Sequence, residues 1–385
     1  MSGFGYFQVR GRIVSGNGQA SRVGQEARNL NARKAVVVTE KAILDAGIAK
    51  GIIDSLAGNG VEVAVFDRVH ADPSVILMDE IGQLIKDQAA DLVVGVGGGS
   101  SLDAAKGAAI VATCGGSIRD YVGENKVPKA SMPVIAIPTT AGTGSEVTWH
   151  ISVNDTERQL KVTVRSPLCV PDVAILDATL MASLPAHVAA FTGMDAFTHA
   201  FESYISTKGS WQFTDMLALK AIELIGAYLR PFVANRQNAH AGENMLIASM
   251  LGGMVLSHAR TGIVHQMARP LGAHFHIPHG LANSMLLPYA MEYTVLANPP
   301  KFAAVARALG VTTGTMSEME AARAAVGAVK TLCADVGLPG RLRDVGVTED
   351  KLPKLAEDAM QGKTSFENPR QGRVEDLVAI YQKAY

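Results

Sequence analysis

Residues 91–106 read DLVVGVGGGSSLDAAK, and this stretch decides how the first half of the chain is expected to fold. A strand-like run, Asp91–Val96, ends in three glycines, and a helix-like segment, Ser101–Thr113, follows. Glycines let backbone N–H groups approach an anion closely, and a helix N-terminus adds a favourable dipole. A tight turn without a ligand is the plainer alternative, but three adjacent glycines at such a junction favour a pyrophosphate site. The residues predicted to form it are Gly97, Gly98, Gly99 and Ser100.

Short runs rich in valine and isoleucine alternate with helical patterns on both sides of this loop. Five runs are predicted to be strands: Ala35–Thr39, Val61–Phe66, Asp91–Val96, Val134–Ile137 and Val173–Leu176. Patterns typical of helices separate several of them, as in Lys41–Leu56 and Val75–Gln88. This alternation predicts an α/β domain that has a mostly parallel sheet with helices on both faces.

The pattern changes after about residue 183, where strand signals nearly disappear. Helical patterns follow, for example Thr214–Leu229, Ala241–Leu256, Lys301–Leu309, Ser317–Val336 and Val374–Gln382. A chain of 385 residues is too long for one compact core. We therefore expect an α/β domain over residues 1–183 and an all-helical domain over residues 184–385, because Pro185 can open a helix. A ligand site is expected in a cleft between the two.

The composition is that of an ordinary globular protein. Hydrophobic residues make up 48% and charged residues 18% of the chain, which does not indicate disorder. The formal net charge of −1 gives no reason to expect a nucleic-acid or membrane partner. The cysteines at 114, 169 and 333 lie far apart, and the chain starts without a secretory-signal pattern, so we expect a cytoplasmic protein.

Two further segments of the first half suit a dinucleotide. Residues 138–146 (PTTAGTGSE) are small and hydroxyl-rich, as a second wall of a phosphate or ribose site would be. Glu40 follows a predicted strand, where a carboxylate could bind an adenine ribose diol and repel a 2′-phosphate, which favours NAD over NADP. An exposed charge is the alternative for Glu40. Gly16-Asn17-Gly18 lacks the third glycine of a GxGxxG fingerprint and a strong preceding strand, so it is interpreted as a hairpin or turn.

A group of metal-ligand residues stands in the second half. Asp195 and His199 are four residues apart in a predicted helix, so they share one of its faces. His265 and His279 follow, and three imidazoles with one carboxylate suit Zn²⁺ or Fe²⁺ while leaving room for a substrate oxygen. The neighbouring histidines are interpreted first as surface or core residues: His258, His274 and His276.

Several segments, taken in order, resemble the iron-containing (group III) alcohol dehydrogenases over nearly the whole chain. They are Gly97–Lys106 (GGGSSLDAAK), Pro138–Glu146, Gly193–Glu202 (GMDAFTHAFE), Gly262–Asn283 (GIVHQMARPLGAHFHIPHGLAN), Leu338–Val347 and Asn368-Pro369-Arg370. The resemblance implies a Rossmann-like N-terminal domain, an all-helical C-terminal domain, an active site between them and a dimer or larger homo-oligomer. It implies that one divalent metal is bound by Asp195, His199, His265 and His279. It also implies that NAD(H) is lined by Gly98, Gly99, Ser100, Asp103, Thr139, Thr140, Thr143 and Lys161.

Three positions depart from the family's pattern. A family histidine four residues after the third metal ligand is Arg269 here, so the usual proton relay is missing. A family asparagine near the cofactor corresponds to His150, and a Pro-Asn-Pro segment reads Ala71-Asp72-Pro73. Both His150 and Asp72 are expected to contact the cofactor in place of the family's residues.

The resemblance implies hydride transfer between nicotinamide and a short alcohol or aldehyde, with the metal as Lewis acid. His265 and His279 would take part as ligands, and Arg269, which shares a helix face with His265, would contact the substrate. Because arginine stays charged and binds oxyanions, the hypothesis is a substrate with a sulfonate, phosphonate or carboxylate end, with Arg260 as a second contact. In the alternative, Arg269 pairs with an acidic residue or with a cofactor phosphate.

Three other functions remain open from the sequence. The first is a reductase of uncharged short diols or aldehydes such as lactaldehyde. The second is a lyase of the dehydroquinate synthase type, which would turn over without net NADH production. The third is a non-catalytic protein that binds a metal or a nucleotide.

Overall fold

The computed structural model describes residues 5–158, 160–361 and 367–385. The chain divides into two compact units. The sheet unit comprises Gln8–Thr140 and Gly144–Ser183. The helical unit comprises Leu184–Tyr385 together with Ala141–Thr143 and residues 5–7. The loop after the strand that ends at Pro138 therefore contributes three residues to the helical unit before the chain resumes the sheet unit.

A six-stranded sheet forms the centre of the sheet unit, in the order β1-β9-β6-β4-β2-β3. Every neighbouring pair is parallel. The prediction of a mostly parallel sheet is confirmed. The strands are β1 (Arg12–Ser15), β2 (Lys34–Val38), β3 (Glu62–Phe66), β4 (Leu92–Gly97), β6 (Val134–Pro138) and β9 (Val173–Leu176).

Helices cover both faces of this sheet. Alternate residues of β2 point to opposite sides: Ala35 and Val37 pack in one buried cluster, whereas Val36 and Val38 pack in another. The first cluster contains α1 (Val23–Asn29) and α3 (Ile48–Gly58), and the second contains α4 (Val75–Asp87) and α5 (Gly99–Cys114). Strands buried on both sides lose the alternation of polar and apolar residues, which explains the continuous apolar runs.

Two sequence interpretations of this unit are corrected by the structure. The single helix predicted over 41–56 is two helices, α2 (Lys41–Asp45) and α3, because Gly47 between them takes a left-handed φ of 76°. Gly16-Asn17-Gly18 forms a turn as expected, but a strand, β1, does precede it. β1 was missed because it is a short edge strand that is mostly exposed and includes Arg12.

A second, three-stranded sheet was also missed. Its order is β5-β8-β7, where β5 is Gly123–Glu124, β7 is His150–Asp155 and β8 is Leu160–Arg165. β7 and β8 are antiparallel, with His150 opposite Arg165. β7 alternates half-buried and buried residues over HISVND, so the period-2 signal was present but polar residues obscured it.

The helical unit contains no β-strand among its described residues. Its first helix begins directly after Pro185, the position where a proline was expected to open a helix. The helices are α6 (Ala186–Ile205), α7 (Gln212–Ala234), α8 (Ala239–His258), α9 (Ile263–Phe275), α10 (His279–Thr294), α11 (Pro299–Ala308), α12 (Glu318–Asp335), α13 (Leu352–Gln361) and α14 (Val374–Ala384). None of the helices in the described ranges combines the length and apolar character needed to cross a bilayer.

Candidate active site

One stripe of α6 carries three polar side chains on successive turns. Asp195, His199 and Glu202 follow the spacing i, i+4, i+7, so all three point to the same side of the helix. Their exposed fractions are 4%, 6% and 1%, respectively. Buried polar groups are unfavourable unless something binds them, so this stripe must meet partners from other helices.

Those partners come from α9 and α10. His265 lies in the first turn of α9, and His279 is the first residue of α10. α10 can start this close to α6 because residue 280 is glycine: a Cβ there would lie 2.6 Å from the Phe191 carbonyl oxygen. It would also lie 3.2 Å from Cβ of Asp195. Gly280 thus permits the approach that brings His279 to the carboxylate.

The structure brings the ligand atoms of Asp195, His265 and His279 together within 4.8 Å of one another. Nε2 of His265 lies 3.8 Å from Oδ1 of Asp195, and Nε2 of His199 lies 4.0 Å from the same oxygen. The His199 and His265 rings are stacked with centroids 4.7 Å apart. Two ligands that each lie about 2.1 Å from an ion are separated by at most about 4.2 Å, so both Asp195 distances suit a shared metal.

A buried nitrogen at this site also fits a metal. Nε2 of His265 is buried and has no hydrogen-bond partner within the part of the chain that the structure describes. An orphaned buried nitrogen costs free energy, and a cation would remove that cost. Two or three imidazoles and a carboxylate form the donor set that Fe²⁺ and Zn²⁺ accept.

The pKa values of two members of the cluster, Asp195 and His199, are shifted in the direction that suits metal ligands. Burial alone would raise the pKa of Asp195, but the three neighbouring histidines and an Asn283 hydrogen bond lower it below its ordinary value. Burial lowers the pKa of His199, against the opposing effect of Asp195. An ionised carboxylate and a neutral imidazole both have lone pairs available for a cation.

Sequence reasoning missed two residues that hold these ligands in place. Oε2 of Glu202 lies 2.6 Å from Nδ1 of His265. Nδ2 of Asn283 donates to Oδ1 of Asp195 at 2.7 Å and lies 3.2 Å from Nε2 of His279. The signal that could have found them is the helical spacing, because Glu202 follows His199 by three residues and Asn283 follows His279 by four.

The glycine loop lies at the carboxyl end of β4. Gly97 has φ of 145°, and a Cβ there would lie 2.5 Å from Oγ of Ser101, so only glycine is accommodated. α5 then begins at Gly99 and includes Ser100. Gly98 adjoins Thr140, since a Cβ on it would lie 3.5 Å from Oγ1 of Thr140. Thr139, next in the same loop, donates its N–H to the Gly97 carbonyl at 2.9 Å.

Glu40 lies beside this loop, at the end of the neighbouring strand β2. Its Oε1 accepts a hydrogen bond from Oγ of Ser101 at 3.1 Å. Burial raises the pKa of Glu40, and the Ser101 hydrogen bond opposes that rise. The carboxyl ends of β2, β4 and β6 therefore place Glu40, the glycine loop and the Thr139-Thr140 pair at one edge of the sheet.

The remaining predicted cofactor residues have structural partners. The Asp103 carboxylate accepts hydrogen bonds from Oγ of Ser145 at 2.5 Å and from the Ser152 N–H at 2.8 Å. Lys161 and Asp72 form an ion pair with each other at 2.6 Å. The other two are His150, the first residue of β7, and Thr143, which belongs to the Ala141–Thr143 stretch of the helical unit.

Arg269 lies one turn after His265 on α9, as the sequence indicated. Its side chain is exposed to solvent, yet desolvation lowers its pKa while the Glu202 charge opposes that change. Arg260 is half-buried in the segment before α9.

Two of the three other histidines of this region, His258 and His274, have side-chain contacts of their own. The His258 ring stacks on Phe7 with centroids 4.2 Å apart. Nε2 of His274 lies 2.8 Å from Oδ2 of Asp358. His276 ends α9 in a left-handed conformation with φ of 55°. His258 and His274 therefore have partners other than a metal, and His276 is exposed.

Comparison with known proteins gives matches over both units. The family model described as "Iron-containing alcohol dehydrogenase" matches residues 11–178. The model described as "Fe-containing alcohol dehydrogenase family, C-terminal" matches residues 189–385. The chain is 40% identical to the 1,3-propanediol dehydrogenase of Citrobacter freundii, over 95% of each chain. It is 38% identical to the lactaldehyde reductase of Escherichia coli (strain K12), over 96% of this chain and 97% of that protein.

Solved structures also resemble this chain over nearly its whole length. A 1,3-propanediol oxidoreductase has a TM-score of 0.97 at 38% identity, covering 99% of this chain and all of the other. A sulfoacetaldehyde reductase from Bifidobacterium kashiwanohense, solved in complex with NAD⁺, has a TM-score of 0.89 at 30% identity. That match covers 99% of this chain and 98% of the other.

Proposed function

We propose, since this chain belongs to the iron-containing alcohol dehydrogenase family, that Asp195, His199, His265 and His279 hold one divalent metal for its NAD-linked interconversion of alcohols and aldehydes. The observation that carries this proposal is the convergence of the ligand atoms of Asp195, His265 and His279 within 4.8 Å of one another, with the first two residues buried and His279 half-buried. His199 joins them through its 4.0 Å separation from the Asp195 carboxylate. The metal is Fe²⁺ or Zn²⁺, because this donor set accepts both.

When bound, the metal supplies Lewis acidity toward the substrate oxygen, and the nicotinamide carries the hydride. The residues of the chain provide binding and orientation. The carboxylate of Asp195 stays ionised, and the Asn283 N–H fixes the direction in which it points. His199 stays neutral through burial, and His265 leaves Nε2 without a competing hydrogen-bond partner in the described chain. No side-chain nucleophile is needed.

The dinucleotide would lie on the glycine loop of the sheet unit. Gly97, Gly98, Gly99 and Ser100 would offer backbone N–H groups to the pyrophosphate at the N-terminus of α5. Thr139 and Thr140 border the same loop, and Glu40, which lies beside it, would bind the ribose diol and disfavour a 2′-phosphate. The further cofactor contacts in this proposal are Asp72, Asp103, Thr143, His150 and Lys161.

Arg269 would recognise the far end of the substrate. It shares a face of α9 with His265, and its guanidinium is accessible but partly desolvated, which strengthens a bond to an anion. A sulfonate, phosphonate or carboxylate is the matching group, and a structural relative is named for a substrate with a sulfonate. The competing substrate class is a short uncharged diol or aldehyde, since two relatives are named for propanediol and lactaldehyde.

A pair of aldehydes of equal length, one neutral and one anionic, tests this proposal. NADH oxidation should disappear with a chelator and return with Fe²⁺ or Zn²⁺. Arg269→Ala should lower kcat/KM for the anionic aldehyde by about 10- to 100-fold and change the neutral one far less, because one charge-assisted contact is lost. Arg323→Ala, at an exposed arginine of α12, is the control.

Equal losses on both aldehydes would reject the anion site and leave the reductase intact. No NADH oxidation with any aldehyde, despite occupied metal, would move the assignment to a lyase or a binding protein.

The proposal also includes a cytoplasmic location and assembly into a homodimer or larger homo-oligomer. The three cysteines are all free thiols, as expected in a reducing compartment. The edge strand β1 leaves Ile13 37% exposed, and unpaired edges and apolar surface favour association with a second copy.

A further inference from the structure

Glu202 is a buried carboxylate that the proposed chemistry does not use directly. It lies on α6, three residues after His199, and is 1% exposed. Removing a carboxylate from water is costly unless hydrogen-bond donors or cations replace the water. Its partners therefore indicate why the chain keeps a charge at this position.

Both oxygens of Glu202 accept hydrogen bonds from α9. Oε1 accepts the backbone N–H of Val264 at 2.6 Å, and Oε2 lies 2.6 Å from Nδ1 of His265. α9 begins after Gly262 and has no side-chain cap of its own. The Val264 amide is one of the unpaired donors at that helix N-terminus, so Glu202 caps α9 from a different helix.

The contact with His265 determines which ring nitrogen is free. A carboxylate only accepts hydrogen bonds, so a neutral imidazole facing it must carry its proton on Nδ1. Nε2 then keeps its lone pair, and this is the nitrogen that lies 3.8 Å from Oδ1 of Asp195. A carboxylate behind the ligand histidine fixes both the tautomer and the ring orientation.

Close packing keeps the Glu202 carboxylate in place. A Cβ on residue 262 would lie 3.0 Å from Oε1 of Glu202 and 3.1 Å from Oδ1 of Asn368. Asn368 is itself fixed, since its Nδ2 donates to Oγ1 of Thr294 at 3.1 Å and to the Arg370 carbonyl at 2.8 Å. Gly262 thus lets α9 start directly against the carboxylate.

We propose that Glu202 is a positioning residue that caps α9 and holds His265 as the Nδ1–H tautomer, so that Nε2 binds the metal. This inference rests on the proposed function in that His265 is a ligand. Glu202 does not touch the reacting atoms in this assignment. It sets the affinity for the metal and the direction of one ligand.

Glutamine and aspartate substitutions at position 202 test whether Glu202 acts through its two acceptor oxygens or only through the volume that its side chain fills. An amide has one acceptor oxygen, so Glu202→Gln can satisfy Val264 or His265 but must present NH₂ to the other. An NH₂ facing His265 would move the ring proton to Nε2 and block the metal. Aspartate keeps two acceptor oxygens and should retain more of the function.

Zn²⁺ affinity of the metal-free full chain, measured by chelator competition, is the first readout. Glu202→Gln should bind Zn²⁺ about 10- to 100-fold more weakly than wild type, and Glu202→Asp should fall between the two. The matched control is Asp358→Asn. Asp358 lies on α13, and its carboxylate contacts His274, which is on α9 like His265 but is not a proposed ligand. That variant should bind Zn²⁺ like wild type.

The second readout is the tautomer of His265 in metal-free wild-type protein, from ¹⁵N-histidine NMR at mildly alkaline pH with His265→Asn to assign the signal. An Nδ1–H tautomer supports the inference. Because this measurement uses the wild-type protein, it remains a valid test even if Glu202→Gln does not fold. An Nε2–H tautomer, or unchanged Zn²⁺ affinity in Glu202→Gln, overturns it. Wild-type protein that binds no Zn²⁺ or Fe²⁺ would instead reject the proposed metal site itself.

Discussion

Glu146 is a carboxyl group in the sheet unit whose burial should make stability depend on pH. It is 2% exposed, and Oε1 has no hydrogen-bond partner among the described residues. Burial raises its pKa from 4.5 to about 7, although Lys106 partly opposes the rise. The folded state favours the neutral acid more strongly than the unfolded state does. The stability that the neutral Glu146 contributes is therefore complete below pH 4.5 and is lost as the pH rises to about 7.

Glu146→Gln should therefore become more stable relative to wild type as the pH rises. The rise of this pKa from 4.5 to about 7 corresponds to roughly 3 kcal/mol at most between the two ends of that window. Denaturant unfolding of both proteins across the window measures the difference. Glu62→Gln, at an exposed residue of β3, should stay within about 0.5 kcal/mol of wild type. A difference between Glu146→Gln and wild type that does not vary with pH would refute the prediction.

At the residue scale, helical spacing and the family resemblance identified residues that the structure brings together, Asp195, His265 and His279. They did not identify Glu202 or Asn283, whose importance depends on α9 and α10 packing on α6. A sequence shows that two residues share a face of one helix, but not which helix that face meets. Contacts between helices distant in the chain therefore required the structure.

At the scale of elements, one buried lysine of α5 hydrogen-bonds to the chain that leads from β6 into the start of β7. Nζ of Lys106 donates to the carbonyl oxygens of His150 at 2.6 Å and Ser145 at 3.0 Å. It also lies 3.2 Å from Oδ1 of Asp103, one turn earlier on the helix. The lysine side chain is fully buried, so its charge is separated from bulk water and is neutralised by these partners.

Lys106→Met should consequently destabilise the sheet unit by about 3 kcal/mol, because buried carbonyl groups and a carboxylate would lose their cation. Amide exchange in β7 and denaturant unfolding would register the loss. Lys86→Met, at an exposed lysine of α4, should cost no more than about 0.5 kcal/mol. If both variants proved equally stable, the lysine could not be what holds this segment.

The elements that the sequence missed share a physical cause. The parallel strands were predictable because burial on both faces leaves continuous apolar runs, as in β4. β1, by contrast, lies at a sheet edge, and β8 exposes Leu160 and Lys161. Only part of each strand packs in the core, Val14 in β1 and Val162 and Val164 in β8, so neither strand shows the continuous apolar run that marks a strand buried on both faces.

For the whole molecule, the two ligands should protect mostly different units. Asp195, His265 and His279 lie on α6, α9 and α10, so a bound metal would cross-link three helices of the helical unit. The glycine loop and Glu40 belong to the sheet unit. A ligand present at 100 times its Kd stabilises the structure that binds it by about 2.7 kcal/mol, which lowers the population of the open state roughly a hundredfold.

Hydrogen exchange followed by mass spectrometry should therefore give two separate maps. Metal added to metal-free protein should slow exchange in α6, α9 and α10, and NAD⁺ added alone should slow it at the start of α5 and around Thr139. His265→Ala should lose the protection by metal and keep the protection by NAD⁺, because the substitution touches one ligand set only. Protection of β2 and β4 by metal in the absence of NAD⁺ would contradict the assignment of the metal to the three helices. Since both ligands are tested without turnover, this outcome is independent of the substrate that Arg269 selects.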